Sequence, residues 1–240
     1  MYDFANILLT GRCNRRCPHC IGRALSGRSL PDSLGLFPLP GLAEFLDALR
    51  RHGVNEVSLT GTNTDPLLYR PLDRLIARLR EGAPGARLSL HTNGALALRR
   101  IRAFNRFDRA TVSIPSFHPA TYRRMTGSPR VPDLAEILRQ SAIPVKVSTL
   151  VTPDNRAELP EILRRCRELG VRRLVLRKLY GDPAPDDFFP GRIPARTFGS
   201  NPVYEQDGLE VTVWDFGRST LRCLNLFSDG SVGDAYELAR

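Results

Sequence analysis

An α/β fold built on a parallel sheet is what this sequence predicts, and three observations predict it. Six short runs rich in Val, Leu and Ile alternate with amphipathic segments across residues 4–179. The amphipathic segments repeat their apolar residues at helical spacing and stop at Gly or before Pro. No internal repeat at solenoid spacing and no low-complexity tract competes with that pattern.

FANILLT (4–10) reads as the first strand. LAEFLDALRRHG (42–53) places Leu42, Phe45, Leu46 and Leu49 on one helical stripe and ends at Gly53. NEVSLTG (55–61) is the second strand, PLDRLIARLRE (71–81) a helix, and ARLSLHTNG (86–94) a strand running into a turn. RATVSIPS (109–116) and IPVKVSTLV (143–151) are the next two strands. NRAELPEILRRCRELG (155–170) is the best helix, its stripe formed by Leu159, Ile162, Leu163, Cys166 and Leu169. VRRLVLRKL (171–179) is the sixth strand. Strands this apolar are expected to be covered on both faces. Pattern alone admits an open doubly wound sheet or a curved, barrel-like one, and in both the chemistry belongs at the carboxyl ends of the strands. Pro and Gly crowd GDPAPDDFFPGRIPARTFGSNP (181–202), after which LEVTVWDF (209–216) and LRCLNLFSDGSV (221–232) read as β. The chain thus divides into a core, 1–182, and a small C-terminal β appendage, 183–240.

At 240 residues, 42% hydrophobic and 25% charged, the composition is that of an ordinary globular chain. No apolar run approaches the roughly 20 residues of a membrane helix. MYDFANILLTGR lacks the basic start and cleavage site of a secretory signal. An odd number of cysteines, three of them clustered, excludes a disulfide scaffold, and a reducing cytoplasm is the expected compartment. The net charge of +10 is carried almost wholly by arginine, with Lys146 and Lys178 the only lysines. The arginines are spread over helix faces (Arg99, Arg100, Arg102; Arg164, Arg165, Arg167), which reads as solvated surface under an Arg-rich coding bias. An anionic partner (phosphate, nucleotide or RNA) is the alternative, with nucleic acid not favoured.

TGRCNRRCPHCIG (10–22) packs Cys13, Cys17 and Cys20 into eight positions just past the first strand. Thiolates at this spacing, with basic neighbours, suit a metal. Structural zinc wants four ligands and a ferredoxin-type cluster four cysteines. No fourth is near: His19 lies between two ligating positions, Cys166 sits on an apolar helical stripe, and Cys223 has no companions.

CxxxCxxC at the end of the first strand of a repeated βα protein resembles the radical S-adenosylmethionine (SAM) superfamily, and is similar to the core of the molybdenum-cofactor GTP cyclase group. The resemblance implies a partial (βα)6 TIM-like barrel, with residues 183–240 as a loop and β extension covering it. It implies one oxygen-sensitive 4Fe-4S cluster on Cys13, Cys17 and Cys20, whose open iron takes SAM. LTGTNTDPLLY (59–69) stands where relatives carry a Gly-rich turn before EPLL, so Gly61, Thr62, Asn63 and Asp65 are implied SAM contacts. HTNG (91–94) adds Thr92 and Asn93, SIPS (113–116) adds Ser113 and Ser116, and VKVSTLVTPDN (145–155) adds Ser148. His19 holds a position that is aromatic in relatives and is implied to pack on the adenine. A lone TNG turn or pair of serines is ordinary; the weight lies in their order, each at the end of its own strand.

The implied activity is reductive cleavage of SAM to a 5′-deoxyadenosyl radical that abstracts hydrogen from substrate, the electron coming from flavodoxin or ferredoxin. A chain without a large recognition domain is expected to act on a small, anionic, nucleotide-like molecule. Arg177 and Lys178 end the sixth strand, where one should point into the pocket unless the pair is a plain salt bridge. RNA or a peptide is the alternative substrate. A non-catalytic iron–sulfur or zinc protein is the alternative of another class.

Overall fold

The computed structural model describes residues 1–23, 30–183 and 187–234; the parts of the C-terminal stretch at 184–186 and 235–240 lie outside the described residues. Six strands, β1 (Phe4–Leu9), β2 (Glu56–Gly61), β3 (Arg87–Thr92), β4 (Arg109–Ser113), β5 (Val145–Val151) and β6 (Arg173–Lys178), pair in parallel in chain order. The crossovers carry α1 (Leu42–His52), α2 (Leu72–Gly82), α3 (Ile101–Phe104), α4 (Pro119–Thr126), α5 (Leu134–Gln140) and α6 (Leu159–Glu168). Sequence periodicity marks α1, α2 and α6. It does not mark α4 and α5, which are short and defined by their ends. Pro119 opens α4 and Gly127, at φ 72°, closes it, while the Asp133 carboxylate caps α5 by accepting from the Glu136 N–H at 3.0 Å.

Side chains alternate along each strand, so residues in register share a face. Ala5, Ile7 and Leu9, Val57 and Leu59, Leu88 and Leu90, Ala110 and Val112, Leu174 and Leu176 share one core with the helices' apolar stripes. The other face carries Asn6, Ser58, Ser89, His91, Thr111, Lys146, Ser148 and Arg177. Both faces are largely shielded from water, as expected, but they differ in kind: helices bury one, and the other, curled inward, is a polar hollow.

The C-terminal strands are β7 (Arg196–Phe198), β8 (Asn201–Gln206), β9 (Leu209–Trp214), β10 (Cys223–Leu226) and β11 (Val232–Gly233). They do not form a separate layer. β9 joins β6 in parallel, with β8 and β7 antiparallel beyond it; β10 joins β1 in parallel, with β11 antiparallel beyond. The sheet order is β11-β10-β1-β2-β3-β4-β5-β6-β9-β8-β7, so the barrel stays open between β11 and β7. The cause is visible in the pattern: Leu209, Val211 and Val213, then Leu224 and Leu226, continue the apolar face that the helices cover. Between β9 and β10 the chain crosses from one flank to the other. The Thr220 N–H donates to the Gly199 carbonyl at 3.1 Å, and the Arg222 N–H to the Asp3 carboxylate at 2.8 Å.

A chain ending at residue 182 would bare the edges of both β1 and β6. It should self-associate or precipitate in size-exclusion and light-scattering measurements where the full chain does not. A monodisperse monomer would show that these edges need no partner.

Candidate active site

The cysteine loop, residues 11–20, leaves β1 at its carboxyl end without regular structure of its own, so neighbours must shape it. The Gly11 N–H donates to the Asn63 side-chain oxygen at 3.1 Å, and the Thr64 hydroxyl to the Arg12 carbonyl at 3.4 Å. On the far side, the Arg16 N–H donates to the Thr126 carbonyl at 2.8 Å. The Arg15 guanidinium reaches the Tyr122 hydroxyl at 3.5 Å and the carbonyls of Asn14 and Arg130. A cleft of about 330 Å³ beside the loop is lined by Arg12, Cys13, Asn14, Arg15, Arg16 and Gly127.

Cys13, Cys17 and Cys20 are free and half-buried. Burial, then the neighbouring Cys20 and Cys13, pushes the Cys17 thiol up to about 11. Burial, opposed by backbone N–H groups, also raises Cys13, with Asp65 and Cys20 adding to it. The three sulfurs therefore feel one another, and together they form an anionic set only when a cation holds them. Among the described residues, no three His, Cys, Asp or Glu side chains converge as one metal ion requires. Zinc would draw the sulfurs to about 3.8 Å of each other through bonds of about 2.3 Å. A cluster meets each thiolate at a different iron and does not require that convergence. The donors present fit an iron–sulfur cluster.

The turn after β2 is built around Asp65. Its buried carboxylate accepts from the Leu67 N–H at 2.9 Å, the Thr92 hydroxyl at 2.9 Å and the Asn93 N–H at 2.6 Å. Burial raises its pKa, while these donors and the charge of Arg15 pull it down. Asn93 in turn donates to the Asn14 side chain at 2.8 Å and lies 3.9 Å from the Cys13 sulfur. Asp65 is thus occupied by protein donors and acts through Thr92 and Asn93. Two glycines are required by close approach: a Cβ on Gly61 would lie 2.0 Å from the Thr64 carbonyl oxygen, and one on Gly22 2.3 Å from that of Thr62. Thr62 is buried, its carbonyl oxygen 3.9 Å from the Cys20 sulfur, and Asn63 is exposed.

The remaining sequence candidates separate. His19 is half-buried in the cysteine loop; Ser113, exposed, and Ser148, buried, stand in register on the hollow face. Ser116 is not on that face's open side. Its buried hydroxyl bonds Glu158 and accepts the His118 N–H at 2.9 Å, which makes it a turn residue. Lys178 shares the parity of Leu174 and Leu176 and pairs with Asp215 at 3.4 Å, whereas Arg177 lies on the hollow side. Asn155, which closes the VKVSTLVTPDN motif but was not among the expected contacts, is fully buried and ties the Pro115 and Leu150 carbonyls at 2.7 and 2.8 Å.

The hollow also holds Lys146 and His91, which lie within the motifs but were not among the expected contacts. Burial, followed by the charges of Arg177, Arg109 and Arg173, brings the Lys146 pKa down to about 8; Glu56 opposes weakly. His91 is driven well below its ordinary value by burial and by Lys146, Arg177 and Arg109. Arg109 is ion-paired with Glu56 and Arg173 with Glu210. No ion pair involves Lys146 among the described residues. The signal was present in VKVSTLV, where Lys146 and Ser148 alternate with valines.

Removing the Asp65 carboxylate strands the donors at Thr92, Asn93 and Leu67. Asp65→Ala should cost at least about 2 kcal/mol in urea unfolding. Stability equal to the parent would show that the junction of β2 and β3 is held elsewhere.

The family model of the Radical SAM superfamily matches residues 7–174. GTP 3′,8-cyclase of Mycobacterium marinum is 31% identical over 181 residues, 72% of this chain and 49% of that protein. GTP 3′,8-cyclase 2 of Mycobacterium bovis is 34% identical over 182 residues, with the same coverage. The chain spans about half the length of these curated relatives. The solved structure of Streptococcus suis SuiB bound to S-adenosylmethionine superposes with a TM-score of 0.59 at 14% identity, covering 76% of this chain and 42% of that one, a likeness of fold. Because the matched span runs from β1 through the cysteine loop into β6, the chain belongs to the radical SAM superfamily, whose enzymes bind a 4Fe-4S cluster and SAM.

Proposed function

We propose that this radical SAM enzyme holds its cluster on Cys13, Cys17 and Cys20 and acts on a small, anionic, nucleotide-like substrate seated in the polar hollow. The observation that carries the substrate reading is Lys146. Its ammonium is desolvated among Arg177, Arg109 and Arg173, and among the described residues it has no ion pair, the nearby Glu56 being paired with Arg109; that arrangement costs free energy until an anion enters. Arg177 and His91 border the same place. The name GTP 3′,8-cyclase, borne by relatives matched along about half of their length, points to a nucleotide in the same direction.

Cys13, Cys17 and Cys20 would hold the cluster, which would supply, with one electron from a flavodoxin- or ferredoxin-like donor, the reductive cleavage of SAM that starts hydrogen abstraction from substrate. The chain's own residues position and shield. Asn93 and Asn14 hold the Cys13 side chain, and Thr62 braces Cys20. Gly61, Thr62 and Asn63 offer backbone groups, and His19, Asn93, Ser113 and Ser148 side chains, to SAM. Thr92 keeps its hydroxyl for Asp65 and the Gly94 N–H, so its part is positional. Lys146 and Arg177 fix the anion, and the strands of 183–240 flank the hollow against water.

Anaerobic reconstitution should give a brown protein with about four irons per chain. Ala at Cys13, Cys17 or Cys20 should abolish that colour and the release of 5′-deoxyadenosine from SAM, while Cys166→Ala, a core position, should keep both. Stoichiometric zinc without iron would end this reading.

A lysine whose folded pKa lies below its unfolded value weakens the fold while it is charged, so stability rises with pH between about 8 and 10.4. Lys146→Met should therefore raise Tm at pH 7, lose that advantage by pH 10, and abolish the thermal shift produced by inorganic tripolyphosphate. A variant that keeps the tripolyphosphate shift places the anion elsewhere.

A further inference from the structure

Large aromatic side chains in this chain mostly go inside: Phe45, Tyr69, Phe104 and Tyr122 are all fully buried. A second group does not. Trp214, at the end of β9, is half-buried, and Phe198, Phe216 and Tyr180 are 49%, 40% and 38% exposed. The four touch in a row, with ring centroids 6.3 Å apart for Phe198 and Trp214, 6.1 Å for Trp214 and Phe216, and 6.4 Å for Phe216 and Tyr180. Their frame is built rather than loose. The fully buried Asn201 accepts the Asp215 N–H at 2.8 Å just after Trp214, and Gly199 lets Leu221 pack against the turn between β7 and β8.

The position of this row says what it could meet. Trp214 stands in register with Arg177 on the adjacent parallel strand, so the two share a face about 4.8 Å apart. Arg177 is also the strongest of the charges acting on Lys146. Lys146, the second residue of β5, lies deeper, four residues before Leu150, the partner of Arg177, or about 13 Å along the strand. A row of aromatic rings therefore borders Arg177 at the carboxyl end of the sheet, with Lys146 below it in the hollow. A molecule spanning both needs an anionic group and a flat aromatic face about 10–15 Å apart. A nucleotide has both.

We propose that Trp214, Phe198 and Phe216 form a stacking platform for the base of a nucleotide whose phosphates sit at Lys146 and Arg177. This rests on the anion reading of the hollow and extends it to residues beyond the 7–174 span that the family model matches. The platform selects for an aromatic ring on the substrate, and the cations select for its charge.

Trp214 is the only tryptophan in the chain, so its emission reports this one place. The 240-residue chain titrated with GTP or ATP should lose Trp emission; inorganic tripolyphosphate alone should leave emission unchanged and, added to the complex, should restore it by displacing the nucleotide. Phe198→Ala with Phe216→Ala should weaken nucleotide binding about tenfold or more and leave tripolyphosphate affinity as it was. Nucleotide that binds no tighter than tripolyphosphate, without quenching, overturns the platform while the anion reading stands. Quenching that tripolyphosphate cannot reverse, and that Lys146→Met does not weaken, removes the anion reading and leaves stacking alone. A single-stranded oligonucleotide binding far more tightly than the mononucleotide, or quenching that follows dimer formation in sedimentation, overturns the nucleotide as occupant.

Discussion

One buried carboxylate holds the site's architecture together. Asp65 is shielded from water, and an ionised acid there survives only because backbone and hydroxyl donors converge on it. Those donors come from its own turn and from the end of β3, so the two loops are fixed relative to one another. Asn93 then passes that fixity to Asn14 and Cys13. The cysteine loop has no regular structure, and its geometry is inherited from this junction on one side and from Thr126 on the other.

The sheet's two faces divide the work. A closed eight-stranded barrel fills its interior with branched apolar side chains. Here the corresponding face carries Asn6 bonded to Asn225 at 2.9 Å and Ser58 bonded to Ser89 at 2.6 Å, with His91, Lys146 and Arg177 nearer the site. Such a lining is a poor core and a good receptacle. Stability is carried by the helix side, where the apolar residues of the strands and helices merge, which leaves the hollow free to hold charge that weakens the fold.

Much of this was legible in sequence because it is periodic or because it is dense. The six core strands and the helices α1, α2 and α6 follow from repeating apolar positions, and CxxxCxxC stands out through cysteine crowding. What escaped depends on tertiary context. The helices α4 and α5 are too short for a period to show. The edge strands β7 and β8 lie in Pro- and Gly-rich sequence, where pairing rather than propensity decides. Ser116 belongs to a motif that sequence shows, whereas the presence of Glu158 at its hydroxyl is a fact of packing that no pattern carries. Lys146 hid inside a strand that reads as apolar, although its alternation with Val145 and Val147 already marks a wet face.

The pairing of β10 with β1 has a consequence for how the chain comes into being. Asn6 and Asn225 are 219 positions apart, and the first strand acquires its second neighbour only after almost everything else has been made. Contacts so distant along the chain close slowly, and until they close β1 presents an open ladder to whatever is nearby. The cysteine loop hangs from that same strand. Metal delivery to a nascent chain would thus meet thiols on an unfinished scaffold, so assembly of the holoenzyme is timed by its last strands rather than its first.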